Sequence, residues 1–272
     1  MKQLIGVFGL ALGMLFFTQV SRGQLAAPNE QGVSMGHVHL LVADVDASEK
    51  FWVEMGGTPF KFGQEKGLKF PGVLVLLRKG DPTGGSVGSV VDHIGFRVPD
   101  FDKAMAKWKP LGWKIEPGRL PKQAYIYTPD GLTKVEILTD PSQTVPITFH
   151  HVHFYVNPPS GGADPVAQIQ AWYAKMFGAK PGMRAAFQAD DLPGVNLTFT
   201  QSPTPTVGTK GRSIDHIGFE VANLEAFCKE LEAKGVKLDR PYTKRPDLGL
   251  SIAFLTDPWG TSVELSEGLN HY

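Results

Sequence analysis

The pentapeptide Asp-His-Ile-Gly-Phe occurs twice, at 92–96 and again at 215–219, offset by 123 residues in a chain of 272. Repetition at that distance marks duplicated structural units, and it restricts the chain to folds that can be built from copies. Other pairs recur in the same order. "MGHVHLLVADVD" (35–46) parallels "TFHHVHFYVNPP" (148–159), and "FPGVLVLL" (70–77) parallels "LPGVNLTF" (192–199). "YTPDGLTKVEIL" (127–138) parallels "LTDPWGTSVELS" (255–266). The chain therefore divides into two homologous halves, 35–142 and 147–268, joined near Pro141 to Pro146. Each half divides again, because His37, His93, His151 and His216 each open a run of alternating apolar residues that is followed by a helical pattern. Asp100 or Asp102 is a plausible N-cap of the second helix, and Gly closes several of these helices. The unit is a strand, a helix and several short strands, used four times, which makes the fold α+β.

Side chains alternate across a strand. Ile94, Phe96 and Val98 share one face, and His93, Gly95 and Arg97 share the other. Ile217, Phe219 and Val221 likewise oppose His216, Gly218 and Glu220. Val38, Leu40 and Val42 oppose His37 and His39, and Val152, Phe154 and Val156 oppose His151 and His153. In the last strand of each half, Glu136 stands opposite Val135 and Ile137, and Glu264 stands opposite Val263 and Leu265. A carboxylate in mid-strand is costly to bury unless it is paired or bound to a metal. Matched placement in four units favours two sets of two His and one Glu over a solvated face. Such a set suits a divalent ion and leaves positions open for a substrate.

Composition narrows the function classes. With 27 basic and 27 acidic residues the formal charge is zero, so there is no electrostatic footprint for nucleic acid or a membrane surface. Cys228 is the only cysteine, which excludes an intrachain disulfide; it lies in the helical pattern Leu224, Phe227, Leu231 and reads as a core residue. Trp52, Trp172 and Tyr173 also sit at helical spacing, as core residues do. At the N-terminus, Lys2 precedes an apolar stretch from Leu4 to Phe17 and then a polar exit. This pattern predicts a signal peptide over 1–27, cleaved after Gly23 or Ala27, with an uncleaved anchor as the alternative. A secreted or periplasmic location follows, as does the absence of a membrane partner once the signal is removed. With no twin-arginine pair, any metal would be acquired after export.

The His-Val/Ile-x-Leu/Phe-x-Val strands, the "YTPDG" and "TDPWG" turns and the Val-Glu-Ile/Leu strands resemble the vicinal oxygen chelate superfamily of glyoxalase I, extradiol dioxygenases and the fosfomycin and bleomycin resistance proteins. The resemblance covers nearly the whole chain after the N-terminal segment. It implies a tandem repeat of four βαβββ modules, curled in pairs into two half-barrel cups around a metal. Carried over by position, the implied ligands are His37, His93 and Glu136 in the first half, and His151, His216 and Glu264 in the second. Members differ in whether paired modules come from one half, from different halves or from different chains; the last arrangement allows a homodimer, and swapping would mix the triads. Gly95 and Gly218 are expected to leave room for a ligand beside the metal histidines.

The chain departs from the family patterns. Glyoxalase-like members take a fourth ligand from the last strand of a pair's first module, where this chain has apolar residues near Val75 and Leu197; Asn196 or Thr198 would serve after a one-residue shift. Extradiol members carry a tyrosine ten residues before the metal Glu; here those positions are Phe254 and Ile126, with Tyr125 and Tyr127 flanking the second. Their acid-base histidine has no counterpart in 160–200. Arg97 is expected to hold a carboxylate or phosphate, and Glu220 to act as a base or to repel anions. His39 and His153 are expected as second-row hydrogen-bonding groups, proton shuttles or ligands in place of His37 and His151. The implied function is an exported enzyme using Fe, Mn or Zn to chelate a small oxygenated substrate, with dioxygenase-like or glyoxalase/isomerase-like chemistry. The alternative is a cup that sequesters a small molecule without turnover.

Overall fold

A computed structural model describes residues 25–157 and 164–272, so the expected signal peptide lies almost wholly outside the described residues. Four βαβββ modules are present. The first comprises β1 (Val33–Val42), α1 (Val45–Met55), β2 (Thr58–Phe62), β3 (Glu65–Phe70) and β4 (Val73–Lys79). The second comprises β5 (Val91–Val98), α2 (Phe101–Trp108), β6 (Ile115–Pro117), β7 (Ala124–Tyr127) and β8 (Lys134–Thr139). The third comprises β9 (Thr148–Val156), α3 (Pro165–Phe177), β10 (Lys180–Arg184), β11 (Phe187–Leu192) and β12 (Val195–Gln201). The fourth comprises β13 (Ile214–Val221), α4 (Leu224–Ala233), β14 (Leu238–Arg245), β15 (Leu250–Thr256) and β16 (Ser262–Glu267).

The helices begin where short polar side chains can cap them. Asp44, Asp100, Asp164 and Asn223 each accept a hydrogen bond from a backbone N–H of the first turn. Asp100, not Asp102, is therefore the cap of α2. Helix α1 ends at Gly56, whose φ of 117° is open to glycine and strained for other residues. No described helix is long and apolar enough to cross a membrane.

The strands form two eight-stranded sheets, ordered β14-β15-β16-β13-β1-β4-β3-β2 and β10-β11-β12-β9-β5-β8-β7-β6. Each sheet joins two modules through an antiparallel pair of first strands, β1 with β13 and β5 with β9. Module one thus pairs with module four, and module two with module three. The two sequence halves are not the two sheets, since each half gives one module to each sheet.

The apolar strand faces meet the helices in one core shared by both sheets. Phe96 of β5 packs on Trp52 and Phe70 of the first module, with ring centroids 6.0 and 4.9 Å apart. Phe177 of α3 packs on Phe219 of β13 at 5.0 Å. Trp52, Tyr173 and Cys228 are buried in this core, as their helical spacing predicts, and Trp172 is partly buried against it. The other faces of the sheets are concave and carry the histidines.

One core carboxylate is anomalous. Asp190 of β11 is fully buried, and among the described residues neither oxygen has a well-directed hydrogen-bond partner, the nearby Gln170 amide donating instead to the Gly182 and Ala189 carbonyls. Burial pushes its pKa up to about 7. The folded chain therefore holds a proton that the unfolded chain releases near pH 4, and the stability this confers is present at low pH and lost as pH rises through about 7. Asp190→Asn should be more stable than the parent at pH 8 by on the order of 2 kcal/mol, the gap shrinking toward pH 5. Denaturant melts at both pH values check this, and a pH-independent gap would rule out a buried neutral acid.

Candidate metal centres

The antiparallel pairing of first strands brings together histidines from different modules. On the sheet of modules one and four, cup A gathers His37, His39, His216 and Glu264; on the sheet of modules two and three, cup B gathers His93, Glu136, His151 and His153. In each group, one potential ligand atom per residue lies within 4.8 Å of all the others. All eight side chains are buried. This corrects the half-by-half triads, because His37 meets His216 and Glu264, whereas His93 and Glu136 meet His151.

In cup A, Glu264 Oε2 lies 2.9 Å from His216 Nε2 and 3.3 Å from His37 Nε2. In cup B, Glu136 Oε2 lies 3.1 Å from His93 Nε2 and 2.8 Å from His151 Nε2. Close approach here is not simple hydrogen bonding, since His37 Nε2 and His151 Nε2 are buried without a properly directed partner. Nitrogen and oxygen lone pairs converging in a dry site, with buried nitrogens left over, are what a divalent cation satisfies. The donor sets therefore fit a metal.

The repeated pentapeptide now has a physical account. Asp92 Oδ1 holds His93 Nδ1 at 2.6 Å, and Asp215 Oδ1 holds His216 Nδ1 at 2.7 Å. A carboxylate on Nδ1 fixes the ring so that Nε2 faces the centre. Lys134 and Arg78 in turn hold these aspartates, at 2.8 and 3.1 Å. Ile and Phe enter the core. The glycine accommodates the other histidine: a Cβ on Gly218 would lie 2.0 Å from His37 Cε1, and one on Gly95 would lie 1.9 Å from His151 Cε1. The space expected for a ligand is filled by an imidazole of the paired module.

Burial first, and neighbouring charge second, set the protonation states. Burial lowers His39 to about 4 and His151 to about 3, and moves His153 well down, so these rings are neutral with a free lone pair. Burial would also lower His216, but Asp215 and Glu264 on its two nitrogens outweigh it and raise the pKa. Burial raises the pKa of a carboxyl, yet facing imidazoles hold Glu136 and Glu264 well below the usual range.

The remaining expected residues fall in different places. Tyr125 lies directly across from Glu136 and edges onto His93 at 5.6 Å, which puts a phenol in cup B. Phe254 is its counterpart in cup A, across from Glu264 and 5.4 Å from His216. Tyr127 instead donates to Glu116 at 2.9 Å. Arg97 pairs with Asp140 at 3.3 Å. Glu220 accepts from the backbone N–H groups of Gly268 and Leu269 at 2.9 and 3.1 Å, so it anchors the C-terminal turn and is not free to act as a base. Val75 and Leu197 are on the core side. The residues that face His37 and His39 across β4 are Leu74 and Leu76, and those facing His151 and His153 across β12 are Asn196 and Thr198. Neither cup has a carboxylate at the glyoxalase fourth-ligand place.

Several site residues carried no repeated signal. His39 Nε2 lies 3.1 Å from Glu65 Oε2. His153 Nε2 pairs instead with the Thr200 hydroxyl at 2.8 Å. Arg184 donates to Thr198 at 2.8 Å and stands 3.7 Å from Glu136, and Gln123 also donates to Glu136. In cup A a cleft of about 340 Å³ reaches His39, His216 and Glu264, and Glu264 is less deeply buried than Glu136 of cup B.

Solved structures share this architecture. The family described as the Glyoxalase/Bleomycin resistance protein/Dioxygenase superfamily matches residues 92–254, more than half of the chain. The chain belongs to this superfamily, whose members include metalloenzymes. Glyoxalase I from Zea mays is similar at 18% identity over 88% of this chain and 94% of that one, with a TM-score of 0.67. A candidate dioxygenase from Bacillus subtilis is similar at 12% identity over 91% of this chain and 88% of that one, with a TM-score of 0.65. At these identities the likenesses establish the fold alone. No curated protein sequence matches significantly.

The mixed triads make a stoichiometric prediction. His37→Ala with His93→Ala damages both cups and should leave no tightly bound metal. His37→Ala with His216→Ala damages only cup A and should leave the cup B equivalent. Triads confined to sequence halves predict the reverse, and metal analysis of the two double variants separates the cases.

Proposed function

We propose that this chain is a divalent-metal-dependent enzyme of the vicinal oxygen chelate type, and that cup A is its working centre. The observation that carries this is the cleft, which opens on His39, His216 and Glu264; in cup B, Gln123 and Arg184 lie against Glu136. His37, His216 and Glu264 would hold the ion, and His/Glu sets accept Fe, Mn or Zn. A bound ion supplies Lewis-acid polarisation of two neighbouring substrate oxygens. His39 faces the same cleft with Nε2 turned to Glu65, so it is placed to take a proton from the bound substrate and Glu65 to steady the resulting charge. Its low pKa, due mainly to burial, keeps it in the basic form at neutral pH. Phe254 stands where cup B has a tyrosine, leaving the His39–Glu65 pair as the proton-handling group of cup A. Isomerase or lyase chemistry on a small chelating substrate is therefore favoured over ring cleavage.

The test is turnover of a panel of 2-oxoaldehyde adducts, 2-hydroxy acids and catechols by the metal-loaded chain, followed by mass spectrometry. Glu264→Gln should lower turnover by at least about a hundredfold, the scale of removing a directly engaged group, and Glu136→Gln should have little effect. The opposite ranking would move the working centre to cup B. Ligands recovered unchanged, but bound only when Glu264 is intact, would mean sequestration.

We also propose that the chain is exported and cleaved after Gly23. Leu25 is buried among Phe62, Leu74, Leu76 and Leu269 on the cup A floor, and cleavage after Ala27 would remove it. N-terminal sequencing of protein from the periplasm or medium should begin at Gln24. A start at Pro28, or an uncleaved chain, would contradict this.

A further inference from the structure

We propose that cup A contains an oxyanion subsite centred on Arg240, and hence that its substrate carries an anionic group remote from its chelating oxygens. This rests on cup A being the chelating centre. Arg240, Phe254 and Glu264 lie directly across from one another on the adjacent strands β14, β15 and β16. Two interstrand spacings separate the ends of that row, roughly 10 Å between backbones. A flat molecule lying along Phe254, with two oxygens at the His37–His216–Glu264 end, would present its far edge to Arg240.

The charges of the cleft identify Arg240 as the anchor. Three guanidinium groups line it, from Arg78, Arg240 and Arg245. Arg78 is committed to Asp215 at 3.1 Å. Arg245 is committed to Asp247 through two bonds of 3.0 and 2.7 Å. Of the other acidic residues of the wall, Glu65 faces His39 and Glu264 faces His37 and His216. Arg240 alone has no carboxylate partner among the described residues. Phe62, Ile252 and Phe254 supply an apolar wall between the cations and the histidines. Arg240 stands exposed on the rim of this cleft, where a guanidinium is a fork for a carboxylate or phosphate.

Cup B is an internal comparison, with the same strand order and different side chains. Its row across the same three strands reads Glu116, Tyr125, Glu136, so an acid replaces Arg240. Thr200 occupies the place of Arg78, each two residues beyond the residue facing the second histidine of its cup. The cations at the places of Arg240 and Arg78 therefore belong to cup A and not to the fold.

Isothermal titration of the zinc-loaded full chain with catechol, 3,4-dihydroxybenzamide and 3,4-dihydroxybenzoate tests this, since the last two differ in charge but hardly in shape. 3,4-Dihydroxybenzoate should bind about tenfold more tightly than the amide, the worth of one charge-assisted contact. Arg240→Gln should bring the two to near parity while leaving catechol affinity and the melting temperature unchanged, and Arg240→Lys should retain part of the preference. A 4-phosphonate analogue of catechol shows whether the fork prefers carboxylate or phosphate-like oxygens. Equal affinities in the parent chain, or a preference that survives Arg240→Gln, would overturn the subsite. If Glu264→Gln fails to weaken catechol itself, the chelating role of cup A fails instead, and the two results are distinguishable.

Discussion

An imidazole lying across the bare Cα of a glycine is the contact on which both centres depend. His37 rests over Gly218 and His151 over Gly95, with no room for even a methyl group. In each case the histidine belongs to one module and the glycine to another. The contact therefore sets the register between β1 and β13, and between β5 and β9, and it decides which carboxylate each ring faces. Aspartate on Nδ1 of the glycine-side histidine orients the second ring. The backbone thus positions two nitrogens and a carboxylate oxygen before any ion arrives, which is the preorganisation a metal site needs.

Much of the architecture was legible in the sequence because it is written four times. Alternation in segments such as "DHIGFRV" and "DHIGFEV" separates a core face from a polar face, and duplication distinguishes placed histidines from accidental ones. Module pairing was not legible. Any two first strands with the same alternation can lie antiparallel, and the choice depends on contacts between residues far apart in the chain. The run "VLVLL" misled by one residue for a related reason: it is apolar on both faces, so it has no period from which to set a phase. Leu74 and Leu76 turned out to face the cup, with Leu25 and Leu269. Asp92 and Asp215 were visible inside the repeat, but adjacency to a histidine carries no structural signal by itself. Arg184, Glu65 and Arg240 come from the outer strands, where the modules diverge and repetition offers no guide.

The two cups show how one backbone can hold the same inner triad inside different surroundings. Position for position, Leu76 answers Thr198 and Phe254 answers Tyr125. Cup A has an apolar floor and a charged rim, whereas cup B hydrogen-bonds its own lining across the carboxylate. The inner ligands are fixed by close packing and tolerate little change. The outer wall meets solvent, so substitution there alters what can bind without disturbing what holds the ion.

The pairing of first with last, and second with third, nests one centre inside the other along the chain. The residues of cup B run from His93 to His153, whereas those of cup A run from His37 to Glu264. As the chain emerges from its N-terminus, everything cup B requires is present once the third module has appeared. Cup A must wait for β16 and must close a loop that contains the whole inner pair. Its assembly is the high-contact-order step of the fold. The nested topology therefore imposes an order of completion in which the inner sheet can serve as a platform, and the centre reached by the cleft is the last to exist.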